Sequence, residues 1–295
     1  MFKNNKNEII NQCLASVSGG PDSMALLNKY KDCIKVVCHV NYNARHTSKR
    51  DENIVKAYCL KNNIKLHVLS VNSKLEATKN FQNWARIVRY NFMHKIAKQY
   101  NIKTILVAHN LNDFIETAIM QILKKKLTLF LGIKQYSKYH DLYIYRPFIN
   151  IWKKDLLNYC LSNSVPFGID ESNFSLKYER NIIRNNINKW DINELLYFLV
   201  LVKKYNNKNE KLNDSVISFY KIWKSNKYTK ILLNKNIDFI FHVLFEMFKE
   251  YNLKFDINKF KAILILMYKN NPNKGLRIGK NKKLYVKNKQ LFIIS

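Results

Sequence analysis

The most informative segment of this sequence is Ser18-Gly19-Gly20-Pro21-Asp22-Ser23. The apolar run at 13–17 before it predicts a buried strand, and the apolar residues at 24–27 after it predict the start of a helix. A strand-to-helix turn gathers backbone N–H groups at the helix N-terminus, where they can bind an anion. The two glycines let the backbone approach such a ligand closely. The stretch therefore predicts a phosphate-binding loop.

The side chains of this loop favour a polyphosphate that carries Mg²⁺. Ser18 and Ser23 supply hydroxyl donors, and Asp22 supplies a carboxylate that can bind the metal ion. The loop is not of the Walker type, because the chain contains no G-x-x-x-x-G-K-[ST] pattern. The alternative is an ordinary Gly-Pro turn, which the six residues alone leave open.

The composition fits two domains with a sizeable core. The chain has 295 residues, 47% of them hydrophobic, and no apolar run reaches the length of a membrane span. Five cysteines without a C-x-x-C pair fit a reduced cytosol better than a disulfide or zinc framework. The polar beginning of the sequence also predicts no secretory signal. We therefore expect a cytoplasmic protein that contacts no membrane.

The net charge of +30 favours a polyanionic partner, most simply RNA. The alternative is codon bias, because 43 of the 51 basic residues are lysine and only eight are arginine. The same bias makes scarce residue types informative. The eight arginines, six glycines and four prolines are therefore each expected to have a specific role.

Strand and helix patterns alternate through the N-terminal half. Apolar runs at 33–40, 65–71 and 102–107 predict strands, with helices between them at 47–61 and 76–100. The first of these helices begins with the Ser-x-x-Asp spacing of a capping box. Such an order predicts a doubly wound parallel sheet, which binds ligands at the carboxyl ends of its strands.

A histidine and two carboxylates follow the last of these strands. His109 lies at the strand end, and Asp113 and Glu116 lie three residues apart in the first turn of the next helix. Helix capping is the alternative, since the helix dipole favours acidic residues in a first turn. Their place at the carboxyl edge favours a cluster that binds Mg²⁺ or a ligand ammonium.

Two arginine pairs have helical spacing. Arg86 and Arg89 lie three residues apart, and Arg180 and Arg184 lie four apart. A solvated helix surface is the alternative for the first pair, and ordinary surface ion pairing is the alternative for the second. The guanidinium group suits phosphate or a nucleobase carbonyl better than the lysine ammonium does, which favours a clamp on substrate for the second pair.

These features together resemble the tRNA(Ile)-lysidine synthetases, a family of N-type ATP pyrophosphatases with a PP-loop. The segments that carry the resemblance occur in order and are Ser18 to Ser23, His39-Val40-Asn41 with Arg45, Ala85-Arg86-x-x-Arg89-Tyr90, Ala108-His109 with Asp113 and Glu116-Thr117, Arg146-Pro147, and Asp170-x-Ser172-Asn173 followed by Arg180-Asn181-x-x-Arg184. Together they are far more specific than any one motif. The sequence departs from the family at Tyr42, where a second histidine is usual, and near Gly132, which is all that is left of an Arg-Gly-rich loop.

The resemblance implies a ligase reaction on RNA. ATP adenylates O2 of the wobble cytidine of an isoleucine tRNA, and free L-lysine then displaces AMP to form lysidine. The implied cofactors are ATP and Mg²⁺, and the implied partners are tRNA(Ile) and L-lysine. The sequence does not distinguish a monomer from a homodimer.

The resemblance also assigns roles to matching positions. The implied residues are His109, Asp113, Glu116, Arg86 and Arg184 for catalysis; Ser18, Gly19, Gly20, Pro21, Asp22, Ser23, Asn41 and Arg45 for ATP; Asn173, Arg180 and Arg184 for substrate; and Asp22 and Asp113 for the metal. Lysine has a pKa of about 10.4 and must lose a proton before it attacks. His109 matches that task better than a carboxylate, although the base stays open.

The alternation stops after residue 189. Helical patterns at 192–204, 214–224, 238–251 and 258–269 precede an alternating stretch at 276–294 that predicts a β-hairpin. We therefore expect a PP-loop domain at 1–189 and a smaller, mainly helical domain at 190–295. The second domain either contacts tRNA or is a structural extension.

Three other functions stay open. A tRNA thiolase on the same loop would need a reactive or cluster-bound cysteine, and no paired cysteine motif exists here. An amidating pyrophosphatase would need a source of ammonia, and no glutaminase-like portion is present. A non-catalytic nucleotide-binding RNA module would bind tRNA and ATP without turnover of either.

Overall fold

The protein is described by a computed structural model that divides into two compact units. The residues described are 12–44, 46–71, 81–125, 128–169, 179–187, 189–229, 234–251, 253–269, 275–279, 282–287 and 290–294. Unit 1 comprises Met1–Lys126 and Leu131–Leu199, and unit 2 comprises Leu127–Phe130 and Val200–Ser295. Each unit has its own hydrophobic core.

Unit 1 is built on a mostly parallel sheet with helices on both faces, which confirms the predicted fold class. Its strands are β1 (Cys13–Ser16), β2 (Ile34–Asn41), β3 (Lys65–Ser70), β4 (Thr104–Val107), β5 (Tyr136–Tyr139) and β6 (Leu142–Tyr145). Its helices are α1 (Pro21–Lys29), α2 (Ser48–Lys61), α3 (Phe81–Gln99), α4 (Leu111–Leu123), α5 (Lys153–Ser162) and α6 (Glu179–Ile187). The strand order is β3-β2-β1-β4-β6-β5.

The central strands are buried on both faces, as their continuous apolar runs predict. One face packs against α1, α2 and α5 through side chains that include Leu26, Val55 and Leu156. The other face packs against α3 through Met93 and Ile96. The loops that follow the parallel strands lie at the carboxyl ends of these strands, between the two helix layers.

The β5–β6 hairpin is an element that the sequence patterns did not predict. β6 pairs with β4 in parallel, and β5 pairs with β6 in an antiparallel register that sets Tyr136 opposite Tyr145. Those two rings stack with their centroids 4.7 Å apart. Strands of only four residues give too short an alternation to distinguish from a loop.

The predicted capping box at the start of α2 is wrong. Thr47 is the N-cap residue and makes no side-chain capping hydrogen bond, so Ser48 is already helical. Asp51 is buried and instead accepts hydrogen bonds from Arg50. The spacing fits a capping box, but the Asp51 carboxylate is occupied by the neighbouring Arg50 side chain instead.

Unit 2 is mainly helical with a small antiparallel sheet. Its elements are α7 (Ile192–Ser225, which begins in unit 1), α8 (Ile237–Glu250), α9 (Ile257–Lys269), β7 (Leu276–Arg277), β8 (Lys283–Lys287) and β9 (Gln290–Ile294). The predicted hairpin is thus part of a sheet with the order β7-β8-β9.

Two predicted helices at 192–204 and 214–224 are one continuous helix, α7. The polar stretch at 205–213 looked like a break because it lacks apolar periodicity. It contains no glycine or proline, so nothing in it stops a helix from continuing.

In the part of the chain that is described, no helix is long and apolar enough to cross a membrane.

Candidate active site

The candidate site lies where the direction of strand order reverses. β1 pairs in parallel with both β2 and β4, so the chain leaves β1 toward one side of the sheet and later returns on the other. The loops that follow β1 and β4 therefore separate and open a crevice at the carboxyl edge. Doubly wound sheets bind ligands at such a switch point.

The loop between β1 and α1 is braced by its own side chains. Ser18 N donates to Ser23 Oγ at 3.1 Å, and Ser23 Oγ lies 2.9 Å from the carbonyl oxygen of Gly20. Gly19 has a φ of +92°, and a Cβ there would lie 2.9 Å from the Cβ of Asp51. Both reasons require glycine at this position. The loop is thus fixed at the N-terminus of α1, as an anion-binding loop requires.

Asp22 is the acidic residue in the first turn of α1. Asn110 Nδ2 donates to its Oδ2 at 3.1 Å, whereas its buried Oδ1 has no hydrogen-bond partner within the described ranges. Burial raises the pKa of the Asp22 carboxyl to about 6; Lys153 opposes this shift, and Asp113 adds to it. A cationic ligand would favour the ionised form of this buried carboxylate, whose pKa is raised.

Asn110 joins the two loops at the switch point. Its side chain accepts from Asp113 N at 3.1 Å, and Asp113 Oδ2 accepts from Asn110 N at 3.1 Å, which completes a capping box at the start of α4. Because Asn110 also bonds Asp22, it fixes the first turns of α1 and α4 against each other. Asp113 therefore does cap the helix, as the alternative interpretation predicted. The cap uses only Oδ2 of its carboxylate.

Arg184, from the second predicted arginine pair, contacts the two carboxylates of α4. Its Nε donates to Glu116 Oε1 at 2.5 Å, and its Nη2 lies 3.7 Å from Asp113 Oδ1. Burial alone would lower the pKa of the Arg184 guanidinium, but Glu116 and Asp113 raise it overall. The interface of α6 with α4 is closed by Ile115, Ile183 and other apolar residues.

The remaining predicted residues either have other hydrogen-bond partners or lie outside the described residues. Arg86 covers the ring of Tyr90 at 4.6 Å and donates to its hydroxyl. The amide of Asn41 is buried and donates to Glu52 at 2.7 Å. Arg180 lies on α6, and two other predicted residues, Arg45 and Asn173, lie outside the described residues. Their roles stay predictions.

Tyr42 occupies the position where the resemblance leads one to expect histidine. Its hydroxyl donates to the carbonyl oxygen of Ala85 at 2.6 Å, and its ring packs against Phe81 and Trp84. Tyr42 therefore anchors α3 to the end of β2.

Several residues of the site were not assigned a role from the sequence. Asn110 and Lys153 belong to abundant residue types and gave no signal. Gly168 belongs to a scarce type: its N–H donates to Gly19 O at 2.9 Å, and a Cβ there would lie 2.1 Å from Asp51 Oδ1. Arg146, another scarce type, donates to His109 Nδ1 at 3.1 Å. The scarcity argument was the signal that could have found both.

The donor set fits Mg²⁺ bound together with phosphate. Asp22 presents a buried oxygen with no protein partner among the described residues, close to the charge of Asp113. No group of three or more His, Cys, Asp or Glu side chains in the described ranges is placed to hold a metal ion alone. Mg²⁺ typically binds to one or two carboxylates and completes its shell with phosphate and water oxygens.

The fold and this loop define the class of protein. A family model described as a PP-loop domain matches residues 2–190. The U34-tRNA thiolase NcsA from Methanococcus maripaludis, solved with its [4Fe-4S] cluster, is similar in fold with a TM-score of 0.54 over 69% of this chain and 74% of that chain. At 18% identity this likeness shows the fold alone.

The particular family follows from closer relatives. The chain is 37% identical to the tRNA(Ile)-lysidine synthase of Ureaplasma parvum serovar 3, over 99% of this chain and 90% of that protein. It is 39% identical to the tRNA(Ile)-lysidine synthase of Malacoplasma penetrans, over 94% of this chain and 97% of that protein. The chain therefore belongs to the tRNA(Ile)-lysidine synthase family.

Proposed function

We propose that this protein is an ATP-dependent ligase that attaches L-lysine to the wobble cytidine of tRNA(Ile). The observation that carries the proposal is the cluster at the switch point, where Asp22, Asn110, Asp113, Glu116 and Arg184 form one connected group. Family membership supplies the reaction class. The cluster would accommodate both halves of the reaction.

The reaction balances in two steps. O2 of the cytidine attacks the α-phosphorus of ATP, and the bond to pyrophosphate breaks. The uncharged ε-amine of lysine then attacks C2, the C2–O2 bond breaks, and AMP leaves with that oxygen. Each step develops negative charge on a leaving phosphate group, and fixed N–H and guanidinium donors stabilise such charge.

The loop from Ser18 to Ser23 would bind the pyrophosphate portion of ATP at the N-terminus of α1. Asp22 would hold Mg²⁺, which when bound neutralises phosphate charge. Arg184 would face the adenylate, with Arg86 and Arg180 as further cations for the base or phosphate.

Asp113 is the better candidate of the two α4 carboxylates for the lysine ammonium. The side chain of Glu116 is only 2% exposed and is paired with Arg184, whereas that of Asp113 is 19% exposed. A carboxylate has to be reachable to bind a diffusible amino acid. We therefore assign lysine binding to Asp113 and the fixation of Arg184 to Glu116.

Unit 2 would contact the tRNA. The segment from residue 200 to the end contains 21 basic and 6 acidic residues, a net charge of +15 in about a third of the sequence. Lysine-rich surfaces bind the phosphate backbone without reading its sequence. The identity of the tRNA would then depend on unit 1 and on the cytidine itself.

The thiolase alternative lacks an activated thiol. Burial raises the pKa of Cys13 and of Cys38 to about 12, and of Cys59 and of Cys160 to about 11. The pKa of the fifth cysteine, Cys33, is also raised. A nucleophilic cysteine needs the opposite shift.

Transfer of radiolabelled lysine to a tRNA(Ile) transcript tests the proposal. We expect incorporation that requires ATP and that disappears when uridine replaces the wobble cytidine. The Asp113→Asn variant should transfer no lysine while it still binds the tRNA. Binding of both tRNA and ATP by the unaltered protein without turnover of either would contradict the proposal and favour a non-catalytic module.

A further inference from the structure

Arg146 and His109 meet in a contact that fixes the chemistry of the histidine. Nε of Arg146 lies 3.1 Å from Nδ1 of His109. A guanidinium has donors but no acceptor, so Nδ1 of His109 must be the acceptor. A neutral imidazole that accepts at Nδ1 carries its proton on Nε2. The contact therefore selects one tautomer of His109.

The position of Arg146 is set independently of His109. The residue is only 4% exposed, and its Nη1 donates to the carbonyl oxygen of Lys134 at 2.8 Å and to Ser137 Oγ at 2.9 Å. The hairpin that begins at β5 thus holds the guanidinium in place, and His109 has to adapt to it.

We propose that Arg146 is a positioning residue that holds His109 as an Nε2–H donor. In this form His109 donates a hydrogen bond to an anionic oxygen, which in the proposed reaction is a phosphoryl oxygen of the adenylated cytidine. It does not take the proton that the lysine ammonium loses. The inference rests on the proposed function for the identity of that oxygen.

The alternative role, general base, conflicts with the geometry. To accept a proton at Nε2, the neutral ring would have to carry its own proton on Nδ1. That N–H would then point at the Nε–H of Arg146, whose nitrogen lies 3.1 Å away. Two donors would face each other and no hydrogen bond could form. The sequence-based expectation that His109 is the better-matched base is therefore replaced, in our proposal, by a donor role.

The tautomer is measurable in the free protein, without any substrate. Long-range ¹H–¹⁵N correlation spectra of histidine-labelled protein, recorded above the ordinary histidine pKa of about 6.5, distinguish protonated from unprotonated ring nitrogens. We expect an unprotonated Nδ1 for His109. His39 is an internal reference, because its Nδ1 lies 2.9 Å from the carbonyl oxygen of Val17 and must be protonated.

A variant without the Arg146 guanidinium tests whether this contact sets the tautomer of His109. In Arg146→Leu, we expect the His109 signals to shift toward a mixture of tautomers while those of His39 stay unchanged. A protonated Nδ1 on His109 in the unaltered protein would overturn the proposal. So would His109 signals that are identical with and without Arg146.

Activity distinguishes the donor from the base. Glutamine can donate a hydrogen bond from roughly the position of Nε2, but it cannot accept a proton. We expect His109→Gln to keep lysine transfer within about ten-fold of the unaltered protein, and His109→Ala to lose about 10²–10³-fold. Equal, complete loss in both folded variants would overturn the donor role. If the unaltered protein transfers no lysine at all, the proposed function fails, while the spectra still test the tautomer.

Discussion

The two units of this protein differ in what they bury. The ten buried polar or charged side chains among the described residues all lie in unit 1, and they include Glu116, Asn110 and Arg146. The core of unit 2, in the part described, is built from side chains such as Trp223 and Leu244. Burial of polar groups costs free energy unless they are paired. Most of them lie near the carboxyl ends of the strands of unit 1, where the candidate site is.

The largest expected effect comes from the buried ion pair of unit 1. Arg184→Met would leave the carboxylate of Glu116 in the interior without its guanidinium, and we expect a loss of about 3–5 kcal/mol in the free energy of unfolding. Denaturant titration measures it. The double variant with Glu116→Gln should recover most of the stability but no lysine transfer.

An exposed ion pair in unit 2 is the matched control. Lys224 and Glu250 pair with side chains 48% and 41% exposed. We expect Lys224→Met to cost less than about 1 kcal/mol. Equal losses in the two variants would remove the contrast between the units.

The next effect concerns catalysis. Asp22→Asn removes the charge beside the phosphate loop and keeps the shape of the side chain, so we expect pyrophosphate release to fall about 10²–10³-fold. Asp155→Asn is the control, since Asp155 also lies in the first turn of its helix, α5, but is exposed. Unchanged pyrophosphate release in Asp22→Asn would exclude a role for this carboxylate in the ATP step.

The same substitution should stabilise the fold in metal-free buffer. The pKa of Asp22 is about 6 in the folded protein against 3.8 as its ordinary value. A raised pKa means that folding disfavours the ionised form, so the penalty is absent below about pH 4, grows as the pH rises, and is complete above about pH 6. We expect Asp22→Asn to gain about 1–3 kcal/mol at neutral pH.

Thermal melts across this pH range measure the effect. The gain should disappear below about pH 4, where both forms are uncharged. A gain that does not vary with pH would show that ionisation of Asp22 is not its cause.

The smallest effect is expected in unit 2. Lys203 and Lys208 are exposed on α7, and we expect their replacement by glutamine to reduce the salt dependence of tRNA binding by about one unit of slope per lost phosphate contact. Lys29 and Lys61, at the C-terminal ends of α1 and α2, are the controls. Equal changes from both pairs would argue against a tRNA surface in unit 2.

The sequence predicted the parts of this molecule that local pattern determines. The strand-to-helix loop at 18–23 and the acidic residues of α4 were predicted because nearby residues specify them, although only Asp113 lies in the first turn of that helix and Glu116 lies in the second. Asn110, which links the two, was not found, since its partner Asp22 is 88 residues away and asparagine is common here. The pairing of Arg184 with Glu116 spans 68 residues and depends on how α6 packs against α4. Contacts of this kind arise from tertiary packing and have no local signature.

We expect ATP to be cleaved in the crevice between the loops that follow β1 and β4. A crystal structure with a non-hydrolysable ATP analogue and Mg²⁺ tests it most directly. We predict that the triphosphate lies against the backbone amides at 20–23, with Asp22 and Asp113 beside the phosphates. A nucleotide bound at another edge of the sheet, or in unit 2, would contradict the account.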